Sequence, residues 1–128
     1  MLFEGPSDAH VVRDIAERMA RPPVVVRCPL EELPAVFEAC TLVVGLDSGA
    51  VHIAAAVGVP TVVLFGPAEP DRVRPISDRS AVVIKDGYWC RPCDQVHCAQ
   101  PENNCMDALE VDSVYSRCMI LINEHRPS

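Results

Sequence analysis

At 128 residues, 49% of them hydrophobic and only 5% aromatic, the chain has room for one domain around one core. A formal net charge of −7 excludes a general basic surface for nucleic acid or anionic membrane, so any anionic ligand has to be met locally. No apolar run approaches the ~20 residues of a membrane span and the first residues carry no basic leader region, so the chain reads as cytoplasmic with no transmembrane segment.

The opening Met-Leu-Phe-Glu-Gly-Pro reads as the tail of a strand running into a turn, which implies chain upstream. Ser7 or Asp8 is placed to cap a helix of about 12 residues with Val11, Val12, Ile15, Ala16 and Met19 at helical spacing, ended by Pro22-Pro23. Val24–Val26 is a short buried strand, and Pro29 to Ala39 a second amphipathic helix with Leu30, Leu33, Val36 and Phe37 on one face. Strand Thr41–Gly45, a small-residue helix Gly49–Val57 and strand Thr61–Phe65 follow. Residues 66–80, rich in Pro, Asp, Glu and Arg, read as loop before strand Ala81–Ile84. A cysteine-rich segment at 87–107 has no period, and a closing helix spans about 111–123, with Asp112-Ser113 at its start. Strands apolar on both faces and alternating with helices indicate an α/β fold with a parallel, doubly wound, Rossmann-like sheet.

The chemistry concentrates in Asp47-Ser48-Gly49-Ala50-Val51-His52, a polar turn between a strand and a helix of small residues. Such a turn aims several backbone N–H groups and the positive helix end at one point, which suits phosphate. Gly49 permits close approach, Ser48 adds a hydroxyl, and His52, one turn in, is placed to donate to a diphosphate oxygen. The competing reading is that Asp47 and Ser48 only cap the helix and His52 fills a polar spot at its start. A hydrolytic triad is disfavoured, because Asp47, Ser48 and His52 lie within one turn and Ser48 is not in a G-x-S-x-G elbow. Arg72 and Arg74 could lend charge to a leaving group, although the balance favours pairing with Asp71 or Glu69.

Asp47-Ser48-Gly49-x-x-His52-Ile53-Ala54-Ala55-Ala56, then Gly58-Val59-Pro60-Thr61 and Leu64-Phe65-Gly66-Pro67-x-x-Pro70, closely resembles the signature of the glycosyltransferase family 9 heptosyltransferases. The likeness runs on through Cys90-x-x-Cys93 to Cys105-Met106 and into the last helix. It implies the C-terminal half of a GT-B glycosyltransferase: residues 1–128 as a single nucleotide-sugar-binding domain, with the N-terminal acceptor domain absent. By likeness Asp47, Ser48, Gly49, His52 and Gly66 line the donor, an ADP-heptose-like nucleotide sugar. Asp8 corresponds to an acidic residue on the ribose, a role that helix capping explains equally well. The acceptor is the lipopolysaccharide core, reached through the missing domain, and the full-length protein is expected to be peripheral to the inner membrane. The general base also belongs to that domain, so no catalytic residue is expected here and the isolated chain should hold nucleotide weakly at best and transfer nothing.

Seven cysteines is an odd and high count, which disfavours a complete disulfide framework. Cys28, Cys40 and Cys118 sit in apolar surroundings and read as small core residues. Cys90, Cys93, Cys98 and Cys105 offer four soft ligands for a structural zinc, although only the first pair has knuckle spacing. Disulfides, or free thiols packed against Trp89 and Met106, are the alternatives. Two other functions stay open: a UDP-sugar domain of another GT-B enzyme such as a nucleotide-sugar epimerase, and a noncatalytic metal- or nucleotide-binding module.

Overall fold

The computed structural model describes residues 1–93 and 97–125; residues 94–96 of the expected cysteine-rich segment lie outside the described residues. Contacts divide the chain into two compact units, Met1–Glu32 and Leu33–Ser128.

In the first unit, β1 (Leu2–Phe3) and β2 (Val25–Val26) pair in parallel, Leu2 opposite Val25 and Phe3 opposite Val26. Between them in sequence lies α1 (Ala9–Arg18), in which Val12 is buried while Val11 and Ile15 are exposed. Asp8 occupies the N-cap position but makes no side-chain cap bond. Its carboxylate instead accepts from the Gly5 N–H at 3.2 Å, bracing the turn after β1. The Arg27 guanidinium forks onto the Glu4 carboxylate at 2.8 Å and holds that carboxyl below its ordinary pKa.

In place of one helix from Pro29 to Ala39 there is a 3-10 turn, Leu30–Glu32, and then α2 (Leu33–Glu38), which begins the second unit. Pro34 accounts for the break, since it has no N–H to return to the Leu30 carbonyl. Phe37 is the fully buried residue of α2.

The sheet of the second unit has the order β3-β4-β5, all parallel: β3 (Val43–Leu46), β4 (Thr61–Phe65) and β5 (Ser80–Ile84). β4 is central, and its alternate residues feed two clusters. Val63 and Phe65 pack with Val51 of α3 (Gly49–Ala56) on one face. Val62 packs with Val83 and with Leu121 of α5 (Val111–Glu124) on the other. Coverage on both faces explains why β4 reads as an unbroken β-branched and aromatic run. Gly45 on β3 admits α3 at close range, since a Cβ there would lie 2.6 Å from the Val51 side chain.

α3 stops in a Schellman-type turn. Gly58, at φ +81°, donates to Ala55 and the Val59 N–H donates to the Ala54 carbonyl. The stretch expected to be loop, 66–80, contains a one-turn helix, α4 (Pro70–Val73), started by proline at its first position.

Candidate functional site

β3 and β4 run in parallel with Leu46 opposite Leu64, so the segments that follow them emerge from the same edge of the sheet. The first is Asp47-Ser48-Gly49 entering α3; the second runs through α4 to Ile76. Together they line an open cleft of about 540 Å³ formed by Asp47, Ser48, Gly49, His52, Arg72, Val73, Arg74 and Ile76. A cleft beyond the carboxyl ends of parallel strands is where open α/β sheets hold ligands.

The helix tip in this cleft is left open. Ser48 is the N-cap residue in extended conformation, φ −154° and ψ 163°, yet its hydroxyl makes no cap bond. The capping reading of Asp47 and Ser48 is therefore not realised: Asp47 faces His52 instead, Oδ1 to Nε2 at 3.9 Å, too long for a hydrogen bond. Around Gly49 an added Cβ would meet nothing within 4 Å. The His52 side chain is 44% exposed and sits one turn into α3.

Arg72 and Arg74 face the same cleft and pair with no acidic group among the described residues. The expected pairing with Asp71 or Glu69 does not form. Adjacent residues on a helical turn do not face one another, which separates Arg72 from Asp71, and Arg74 lies past the end of α4. The signal that places both arginines beside Ser48 is topological: consecutive parallel strands send their following loops to one edge.

Two other residues of the expected site make contacts of their own. Gly66 is buried and does not line the cleft; a Cβ there would come within 2.6 Å of the Met106 sulfur, and its carbonyl accepts from Arg91 Nε at 2.6 Å. A side chain at this position would have to displace Met106 of the cysteine segment. Asp8 belongs to the first unit and braces Gly5.

The seven cysteines are all free thiols. Among the described residues no group of three or more His, Cys, Asp or Glu side chains is placed to hold a metal ion. Cys98 is exposed and Cys105 buried, and burial pushes the Cys105 thiol pKa up, which opposes the thiolate a metal requires. Trp89 is 80% exposed, which counts against the alternative in which the thiols pack on it. Cys28, Cys40 and Cys118 are half-buried, Cys118 against the Val62–Leu121 cluster. A second cleft, of about 350 Å³, lies beside Val83–Asp86 and Leu109–Ser113, but its cation is already engaged: Lys85 Nζ donates to Glu110 at 2.8 Å.

The model of glycosyltransferase family 9 (heptosyltransferase) matches residues 1–103. Lipooligosaccharide heptosyltransferase 2 of Campylobacter jejuni is 31% identical over 87 residues, 67% of this chain and 27% of that protein. That of Haemophilus influenzae is 48% identical over 44 residues, 34% of this chain and 13% of that protein. Lipopolysaccharide heptosyltransferase 1 of Salmonella typhimurium is 28% identical over 113 residues, 88% of this chain and 31% of that protein. The chain thus spans less than a third of the length of these relatives. No solved structure matches it. With the family model covering most of its length and the motif forming an open cleft at the strand ends, the chain belongs to glycosyltransferase family 9, the heptosyltransferase family.

Proposed function

We propose that this chain is the donor-binding, C-terminal half of a GT-B glycosyltransferase that transfers heptose from an ADP-heptose-like donor to the lipopolysaccharide inner core. The observation that carries the reading is the cleft at the end of β3, where the first amides of α3, the idle Ser48 hydroxyl and His52 converge on space that no protein atom fills. Diphosphate matches that set: the amides and the helix end supply positive potential, and Ser48 and His52 donate hydrogen bonds.

In the transfer, an acceptor hydroxyl oxygen bonds to the anomeric carbon as the bond from that carbon to the diphosphate oxygen breaks. The hydroxyl proton passes to a carboxylate base and the nucleoside diphosphate leaves. The base comes from the acceptor-binding half, so this chain binds donor and leaving group and does not turn over alone. The full-length enzyme works at the cytoplasmic side of the inner membrane, without a spanning helix of its own in these residues; no described helix is long and apolar enough to cross a membrane.

The experiment is a titration of the 15N-labelled chain with ADP and with UDP, followed by amide shifts. ADP should move the Ser48, Gly49 and His52 amides at lower concentration than UDP, and Gly49→Ala, whose methyl takes the ligand's place, should abolish those shifts. Preference for UDP would transfer the chain to another GT-B donor class, and silence at these amides would remove the donor-site reading.

A further inference from the structure

We infer that Arg72 and Arg74 are the cationic wall of this cleft and that they make it selective for a diphosphate over a monophosphate. The inference rests on the donor-site reading above and adds to it the residues that supply the charge. A chain with net charge −7 repels a nucleotide at long range, so capture depends on cations within the cleft itself. Within the cleft the acidic group is Asp47, set against His52. The cations are the guanidiniums of Arg72 and Arg74, which line it, both exposed and neither paired within the described residues.

An arginine held beside acidic neighbours ordinarily pairs with one of them. Here Glu69, Asp71 and Asp78 all lie nearby in sequence, yet no ion pair forms with either arginine among the described residues. The backbone of Arg72 is held in α4, whose first turn is set by Pro70 and closed by the Arg74 N–H donating to the Pro70 carbonyl at 2.8 Å. Both residues therefore line the same cleft as Ser48 and Gly49 at the α3 tip, on a short, hydrogen-bonded support. A phosphate held at that tip leaves its next phosphate reaching toward the arginines, where a planar fork of donors suits it bidentately. A monophosphate engages the tip alone. In the transfer reaction the same guanidiniums stabilise the charge that builds on the diphosphate as it departs.

The test compares ADP with AMP on the whole 128-residue chain, by amide-shift titration, for the unaltered protein, Arg72→Gln, Arg74→Gln and the double variant. The unaltered chain should prefer ADP. Each single variant should weaken ADP about tenfold and the double variant should erase the preference, with AMP affinity and melting temperature unchanged. The double lysine variant, which keeps charge without the fork, should recover part of it. A double glutamine variant that still prefers ADP overturns the inference while leaving the donor site standing. Loss of AMP binding in parallel with ADP also overturns it, because a general loosening of the cleft would do that. If the unaltered chain binds neither nucleotide, the donor-site reading falls and this inference falls with it.

Discussion

Two polar segments flank the sheet of the second unit, and they treat their hydrogen-bonding groups in opposite ways. In the cysteine segment the arginine turns inward: Arg91 donates to the carbonyls of Gly66, Lys85 and Ala68 at 2.6, 3.3 and 3.4 Å. Asn104 accepts from the Met106 and Asp107 amides, and the Tyr88 hydroxyl reaches Asn103 and the Asn104 carbonyl. At the α3 cleft the reverse holds, with the Ser48 hydroxyl uncommitted and Arg72 and Arg74 unpaired among the described residues. The same residue types build a brace in one place and leave an open face in the other. What separates them is whether unmatched carbonyls lie within reach, as they do where β4 and β5 end beside the cysteine segment.

The sharpest way to break this contrast is to truncate both kinds of arginine. Arg91→Ala should cost about 2–4 kcal/mol, because three carbonyls lose their donor, whereas Arg72→Ala should leave stability within about 0.5 kcal/mol. Thermal denaturation of the two variants side by side checks it, and equal losses would erase the distinction. A smaller effect is expected from glycine. Gly66→Ala should destabilise by about 1–2 kcal/mol as its methyl meets Met106, while Gly49→Ala, with nothing within 4 Å, should fold as well as the parent.

Thiol chemistry gives a rate in place of an energy. Cys98 is exposed and Cys105 is buried with its pKa raised by that burial, so iodoacetamide at neutral pH should label Cys98 first and Cys105 last. Mass spectrometry of a time course reads the order, and a zinc ion gathering these cysteines would slow them together, with release by a chelator. The smallest effect concerns the ion pair bracketing the segment. The hydrogen bond from Lys85 lowers the Glu110 pKa and raises that of Lys85. The pair's contribution is present between those limits. It is lost as pH falls through the depressed Glu110 value, and again as pH rises through the elevated Lys85 value. A carboxyl titration by NMR should place Glu110 below an unpaired glutamate, and an unshifted midpoint would remove the pair.

Residues 41–65 were legible because two physical signals agree there. Unbroken β-branched runs mark strands buried on both faces, and the glycines at 45, 49 and 58 punctuate them where helix and sheet must approach, open or turn. That Asp47, Ser48, Gly49 and His52 line one cleft was legible for the same reason, since their neighbourhood is local in sequence. Pro34 was in plain view, yet the apolar spacing of Leu30, Leu33 and Phe37 outweighed the missing N–H that divides the helix. Residues that act across long separations were harder. Gly66 looked like a ligand contact because it lies in the motif, and its packing on Met106, forty residues later, carries no local mark. Arg72 and Arg74 looked committed to neighbouring acids, because the register of β3 against β4 that brings them to the same cleft as Ser48 is a property of the folded sheet.

The hydrogen bonds of Arg91 to Gly66 and Ala68, with that from the Cys93 amide to Pro67 at 3.0 Å, grip three successive residues just ahead of α4. A bulky adduct on Cys93 would strain this grip, and with it the support of α4, which carries Arg72 at the cleft. Chemical damage in the cysteine segment would then be felt at the cleft of Ser48 and Arg72, although Cys93 does not line it.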